Sequence, residues 1–387
     1  MKLLHLADLH IGKRVYEYSM LEEQKKALLQ AFQMAKEHQV DAVLIAGDVY
    51  DKTIPTIEGV KLFDTFLTAL KTKQIPTFII SGNHDSAERL AFGRHLFENA
   101  EIYMSGTYEE EILKKTLTDE FGEVDIYLLP FLKPQQIEVA EGEEKPKDYT
   151  EAIRMVVERL NIDKSKRNIL LAHQFVGGGS SEPTRADSET QSVGGVDMVD
   201  YRVFDDFDYV ALGHLHGAQH VGRETVRYAG SPVKYSFSEA RQVKSATLIT
   251  LGIKAGALAT AEITIEKLPF IPVHDMREIK GTLEQLTSPE VLQESDTEDY
   301  MHITLTDEEE IYDVFGKLRA VYPNLMTLDF DNSRTRAEGA VALVGEAIKE
   351  KTTMELFREF FEQQAGCELN PMQEQIMTDI IEKNGEE

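Results

Sequence analysis

Thr77-Phe78-Ile79-Ile80-Ser81-Gly82-Asn83-His84-Asp85 decides the fold of this 387-residue chain. The apolar run reads as a buried strand, and the glycine that follows it as a tight turn. That turn presents an amide, an imidazole and a carboxylate side by side. An amide oxygen followed at once by a histidine suits a site where one residue holds a metal and the next handles a proton. Four more metal-type fragments occur, each after its own apolar run. They are Asp8-Leu9-His10, Gly47-Asp48, His173 behind residues 168–172, and Gly213-His214-Leu215-His216.

Outward from this stretch, the first hundred residues alternate strand and helix. Residues 2–7, 41–46 and 77–81 read as strands. Residues 20–39 carry Leu21, Leu28, Phe32 and Ala35 at helical spacing, and residues 57–70 carry Val60, Phe63, Phe66 and Leu67 on one face. Such alternation implies strands covered by helices, a layered α/β fold. Beyond residue 98 the pattern becomes strand-rich, at 126–129, 168–172, 209–213, 225–228 and 247–251, with a helix at 150–160. The glycine-rich segment from Gly177 to Gly195 has no periodicity and reads as a long surface loop.

Leu268-Pro269-Phe270-Ile271-Pro272 marks a boundary, so the main domain is expected over residues 1–268. Residues 273–331 read as a small αβ unit with strands at 300–305 and 325–330 around a helix at 307–321. Residues 334–387 contain two helical patterns, 340–364 and 371–382. Their apolar stripes are Leu356, Phe360 and Phe361 in the first, and Met372, Ile376 and Ile380 in the second.

Composition is that of a soluble globular protein, at 42% hydrophobic and 28% charged residues. The net charge of −27 excludes a protein that coats a polyanion with a broad basic surface. Residues 1–100 are near neutral, so the acidic excess falls later, in runs at 109–111, 141–144 and 307–310 that read as solvated loops and helix starts. Any nucleic-acid contact is therefore local and helped by bound cations. Cys367 is the only cysteine, which removes disulfides and thiolate zinc sites and points to a reducing cytoplasm. The opening residues lack signal-peptide anatomy, and no stretch reaches the ~18 apolar residues of a membrane span.

The side chains with metal-binding chemistry are Asp8, His10, Asp48, Asn83, His173, His214 and His216. All lie at what would be C-terminal strand ends, the edge where ligands bind in layered α/β folds. Strand alternation is expected to bring Asp8 with His10, and His214 with His216, to one side. Seven oxygen and nitrogen donors exceed one tetrahedral zinc and suit two octahedral ions sharing a carboxylate, manganese or iron being favoured. Singly these signals are weak: Asp48 alone reads as a turn cap. Lone histidines at strand ends are usually structural, and His5, His38, His95, His220, His274 and His302 are assigned so.

Taken in order, the five fragments resemble the calcineurin-type metallophosphoesterase superfamily. The opening Leu4-His5-Leu6-Ala7-Asp8-Leu9-His10-Ile11-Gly12-Lys13 is similar to that of the bacterial SbcD nucleases. So are Tyr228-Ala229-Gly230-Ser231-Pro232 and Tyr235-Ser236-Phe237-Ser238-Glu239. The superfamily motifs cover about residues 1–240. The resemblance implies an α-β-β-α sandwich with a small αβ capping domain and C-terminal helices. It implies one ion on Asp8, His10, Asp48 and His216, and another on Asp48, Asn83, His173 and His214. His84 would protonate the leaving oxygen, with Asp85 orienting it. Archaeal relatives place a second catalytic histidine three residues after the bridging aspartate, where this chain has Asp51.

The resemblance also implies a manganese-dependent DNA phosphodiesterase, acting 3′ to 5′ on duplex ends and as an endonuclease on single strands and hairpins. It would serve DNA repair, recombination and replication-fork processing. The implied partner is an SbcC-type coiled-coil ATPase, docked by residues 334–387, with a homodimer inside a heterotetramer. Lys13, Arg14, Lys52 and Arg89 follow metal motifs and are candidate DNA contacts, with surface solubility as the alternative. Two other functions compete: a phosphoesterase of small diesters or phosphoproteins, and a DNA-end tethering subunit with a vestigial site.

Overall fold

A computed structural model describes residues 1–108, 111–139, 144–179, 183–189, 197–257, 259–294, 296–309 and 311–333. It also describes isolated positions at 335, 354, 357, 358, 361, 372–374 and 377. Two six-stranded sheets dominate. The first runs in the order Ile263–Pro269, Ser245–Leu251, Lys2–Leu6, Ala42–Ala46, Thr77–Ile80 and Ile102–Ser105. Its last four strands are parallel. The second runs Gln219–Val221, Arg223–Tyr228, Tyr209–Gly213, Arg167–His173, Gly122–Leu129 and Leu113–Asp119, with its middle four parallel.

Leu3, Leu44, Phe78, Ile126, Leu171 and Ile249 fill one core with residues from both sheets. On the outer face of the first sheet, Val43, Ile45 and Ile79 pack with Ala27 and Leu28 of helix Leu21–Glu37, and with Phe63 and Leu70 of helix Ile57–Thr72. On the outer face of the second, Leu170 and Leu212 pack with Ala152, Ile153 and Val156 of helix Tyr149–Glu158. The order of layers is α-β-β-α. Strands buried on both faces must be apolar at every position, which is why the central runs are continuous rather than alternating.

Local signals fix where the elements start and stop. Thr56 Oγ1 accepts from Gly59 N at 3.1 Å and caps the second helix. Gln39 (φ 53°) and Gln74 (φ 57°) reverse the chain after the first two helices, in the left-handed conformation usually given to glycine. Strand Leu113–Asp119 is not among those expected from the sequence. It is a half-exposed edge, LKKTLTD, whose polar alternation carries little apolar signal.

The chain divides into two compact units. One comprises Met1–Glu278, Glu298–His302 and Asn324–Thr327; the other comprises Ile279–Thr297, Ile303–Pro323 and the described part of Leu328–Glu387. A three-stranded sheet has the order Met276–Gly281, Tyr300–Leu305, Leu325–Phe330. The helix expected over 307–321 is corrected to Val314–Arg319. Its acidic start is used elsewhere: Asp307 Oδ2 accepts from Leu283 N at 2.8 Å, and Glu308 accepts from Ser333 Oγ at 2.6 Å. The two helices expected over 340–364 and 371–382 lie largely outside the described residues. Among those described, no helix is long and apolar enough to cross a membrane.

Candidate metal centre

The parallel strands end at one edge, and the chemistry-bearing residues follow. Asp8 (φ 52°), His10 (φ 43°), Asp48 (φ 48°) and His214 (φ 107°) all have left-handed backbone. Non-glycine residues are held there only when their surroundings over-determine them, a condition met mostly at functional sites. Convergence therefore comes from tight turns beyond the strands, correcting the expectation that strand alternation would achieve it. Glycine is required where the backbones approach: a Cβ on Gly82 would lie 2.1 Å from Asp48 Oδ1.

Two groups of donors meet at Asp48. On one side, His10 Nε2 is 3.1 Å from His216 Nε2 and 3.6 Å from Asp48 Oδ2, and Asp8, His10 and His216 form a compact cluster. On the other, His173 Nε2 is 3.3 Å from Asp48 Oδ2 and 3.0 Å from Asn83 Oδ1, which lies 3.1 Å from His214 Nδ1. His173 Nδ1 donates to the Ala46 carbonyl at 2.8 Å. All seven expected donors are thus brought together. Asp8 Oδ2 is fully buried and has no hydrogen-bond partner among the described residues. A buried, unpartnered carboxylate oxygen beside ring nitrogens facing one another at hydrogen-bond distance is a donor set that fits hard divalent cations.

Burial lowers the imidazoles of His10 and His216, and brings His214 to about 3, so these rings are neutral with lone pairs for a metal. For Asp48 burial acts upward, but the charge and hydrogen bond of His173, with His10 and His84, hold it well below the usual carboxylate range. Burial opposes protonation of His173 in turn, and Asp48 overcomes it, lifting that ring to about 9.

His84 stands beside this centre. Its backbone N donates to Asp48 Oδ1 at 2.9 Å, its Nδ1 lies 3.1 Å from the Asp51 carbonyl oxygen, and its ring meets His10 edge-on at 4.9 Å. The expectation that Asp85 orients His84 is corrected. Asp85 instead accepts from the backbone amides of Gly82, Val49 and Tyr50 at 2.9, 3.1 and 2.9 Å. It ties the Gly82 turn to the Asp48 turn, and the Asp51 carbonyl fixes the His84 ring.

Further residues brace the ligands. Ser188 Oγ is 2.8 Å from His216 Nδ1 and donates to Glu239 Oε1 at 2.6 Å. Lys244 Nζ lies 2.5 Å from Glu239 Oε2. Glu239 is fully buried; burial would raise it, but His216 and Lys244 outweigh burial and hold it well below the usual range. Gln24 Nε2 donates to the His10 carbonyl at 2.7 Å, while its Oε1 accepts from Gly12 N at 2.9 Å. Only the Glu239 motif stands out in the sequence; Ser188 sits inside the glycine-rich loop and Gln24 inside an ordinary helix.

The cations divide. Lys13 is paired: its Nζ donates to Asp51 Oδ1 at 2.9 Å and its side chain is 14% exposed. Arg14, Lys52 and Arg89 are exposed, with Arg14 bonded to the Glu17 carbonyl and Arg89 to the Thr53 carbonyl. Among the histidines assigned to structure, His5 is buried with Nδ1 3.1 Å from Tyr209 Oη, and His274 is bonded to Glu23 at 3.0 Å.

Residues 1–218 match the calcineurin-like phosphoesterase family. Fold and donor set together define the class, a metal-dependent phosphodiesterase. Residues 272–365 match the type 5 capsule protein repressor C-terminal domain. The chain is 33% identical over 342 residues to the SbcD subunit of nuclease SbcCD from Staphylococcus epidermidis, covering 86% of this chain and 87% of that one. Against the corresponding Staphylococcus saprophyticus protein it is 32% identical, with equal coverage. The chain belongs to the SbcD family of calcineurin-like phosphoesterases, as its motifs implied. A dimetal phosphatase from Danio rerio is similar in structure over 70% of this chain and 99% of that one, at 11% identity and a TM-score of 0.40.

Proposed function

We propose that this chain is the manganese-dependent nuclease subunit of an SbcCD-type complex in the cytoplasm. It removes nucleotides 3′ to 5′ from duplex DNA and cuts single strands and hairpins, in repair, recombination and replication-fork processing. The observation that carries this reading is the meeting of six oxygen and nitrogen donors around a seventh, the buried carboxylate of Asp48. Asp8, His10, Asp48 and His216 would hold one ion, and Asp48, Asn83, His173 and His214 the other. When bound, two such ions supply Lewis-acid charge for a phosphodiester and lower the pKa of water.

The chain's own residues do the rest. Asp8 and Asp48 offset cation charge inside a buried site, and Asp85 keeps the two ligand turns in register. His84 is the general acid. With Nδ1 directed to the Asp51 carbonyl, its Nε2 is left to protonate the departing oxygen. Arg14, Lys52 and Arg89 are proposed to meet DNA phosphates locally, which reconciles DNA binding with the −27 net charge.

Partner contacts follow from the same reading. Residues 273–331 form the proposed capping domain, and residues 334–387 dock on the coiled coil of an SbcC-type ATPase. Ile54, Ile57, Phe92 and Leu96 are 68–82% exposed, apolar surface of the kind a second copy would cover in a homodimer within a heterotetramer.

The test is incubation with manganese of duplex DNA labelled at either end, beside a small chromogenic phosphodiester. Both substrates are expected to be cut, with nucleotides released from the 3′ end. Cleavage of the small diester alone by the complete complex would make this a phosphoesterase of other substrates. Binding of DNA ends without cleavage of either would make it a tethering subunit.

A further inference from the structure

A cavity of about 260 Å³ adjoins the metal centre and shares Asn83 and His214 with it. The rest of its wall has a composition that metal binding does not use. Phe131, Tyr149 and Phe175 contribute three aromatic rings, Lys133 one exposed ammonium, and Gln174 and Asp197 two polar groups. Its volume lies just below the ~300 Å³ at which clefts for drug-sized ligands begin.

The polar groups are the telling part. Gln174 is 1% exposed; its Nε2 donates to the Leu132 carbonyl at 3.1 Å, while its Oε1 is buried with no hydrogen-bond partner among the described residues. Asp197 Oδ1 is likewise buried without a hydrogen bond, its nearest cation being Arg185 at 3.9 Å. A buried unpaired acceptor costs about 1–3 kcal/mol, so two on one cavity wall mark a place where a ligand's N–H groups belong. The Arg185 guanidinium lies 3.6 Å from the Phe175 ring centroid and steadies that ring by cation–π attraction.

The geometry points to a nucleobase subsite: the cavity takes the unstacked base of the nucleotide whose phosphate lies at the metal centre. This rests on the nuclease reading and deepens it. Aromatic walls suit any base face, as single-strand binding sites do. Two acceptors favour an edge that carries an exocyclic amino group, as in cytosine or adenine. Thymine offers one N–H between two carbonyl oxygens, and a second acceptor repels those. Lys133 is placed for a neighbouring phosphate.

The experiment is calorimetric binding of dCMP, dAMP, dTMP and deoxyribose 5-phosphate to the full chain with manganese, which reads affinity without catalysis. The amino-bearing nucleotides are expected to bind about tenfold more tightly than dTMP or the base-free sugar phosphate. Gln174→Met is expected to narrow that ratio. Equal affinity for all four, no binding by any, or an unchanged ratio in a folded Gln174→Met variant overturns the subsite. DNA cleavage with equal affinities would remove the subsite and leave the nuclease reading standing. Base discrimination without DNA cleavage by the complete complex would do the reverse.

Discussion

His173 Nδ1 donates to the Ala46 carbonyl across 2.8 Å, joining the end of the Arg167–His173 strand in one sheet to the end of Ala42–Ala46 in the other. That bond closes the sandwich at the edge where the ligands lie, and it sets the ring nitrogen that faces Asp48 and Asn83.

Gly213 is the position that permits this closure. A Cβ there would lie 1.8 Å from the Ala46 carbonyl oxygen and 2.7 Å from His173 Nδ1. Backbone cannot yield as a side-chain tip can, so Gly213→Ala is expected to lower stability by about 3 kcal/mol and to impair metal binding. Denaturant unfolding checks the first effect and manganese titration the second. A variant equal to wild type in both would show that the sheets are free to separate there.

Much of this architecture is legible in the amino-acid sequence. Continuous apolar runs ending in Asp8, Asp48, Asn83, His173 and His214 announce both the layers and the site, because doubly buried strands and metal ligands each demand narrow residue types. Other parts are hidden for physical reasons. Left-handed turns at Asp8, His10 and Asp48 bear no glycine at those positions to advertise them. Asp85 looks like a partner of its neighbour His84, yet its oxygens go to the Gly82 amide three residues back and to the Val49 and Tyr50 amides, which only tertiary structure brings near. The bracing residues Ser188 and Gln24 are chemically ordinary, and only their placement matters.

Glu239 acts on His216 from behind. With Ser188 it fixes the Nδ1 side of the ring and so aims Nε2 at the centre. Outer partners of ligating histidines are typically worth 10–100-fold in metal affinity. Glu239→Gln is expected to raise the manganese concentration for half-maximal hydrolysis by about 10-fold or more, with activity recovered at high metal. Unchanged metal dependence would remove Glu239 from the centre.

Asp85 is expected to behave as a backbone anchor. Asp85→Asn keeps the shape but sets an amide N–H₂ against at least one backbone N–H. A loss of about 1–3 kcal/mol of stability follows, read in thermal or denaturant unfolding. Full stability with a selectively altered pH–rate profile would restore Asp85 as the orienter of His84.

His5 makes the fold sensitive to acid. Burial brings its imidazole down to about 3, far below the unfolded value of 6.5. Between those limits the unfolded chain binds a proton that the folded chain does not. Stability from this group is therefore complete above about pH 6.5 and falls with pH by up to about 1.4 kcal/mol per unit. His5→Asn removes the titration and keeps a polar group near Tyr209. Between pH 7 and 4.5, wild type is expected to lose about 2–3 kcal/mol more than the variant. Parallel stability curves would contradict this origin of acid sensitivity.

The most direct measurement is manganese stoichiometry on metal-stripped protein, for wild type and Asp48→Ala. Two ions per wild-type chain are expected, falling to one or none in Asp48→Ala, because the carboxylate that both donor groups share is gone. One ion per wild-type chain, or two ions retained by Asp48→Ala, would contradict a centre built around Asp48.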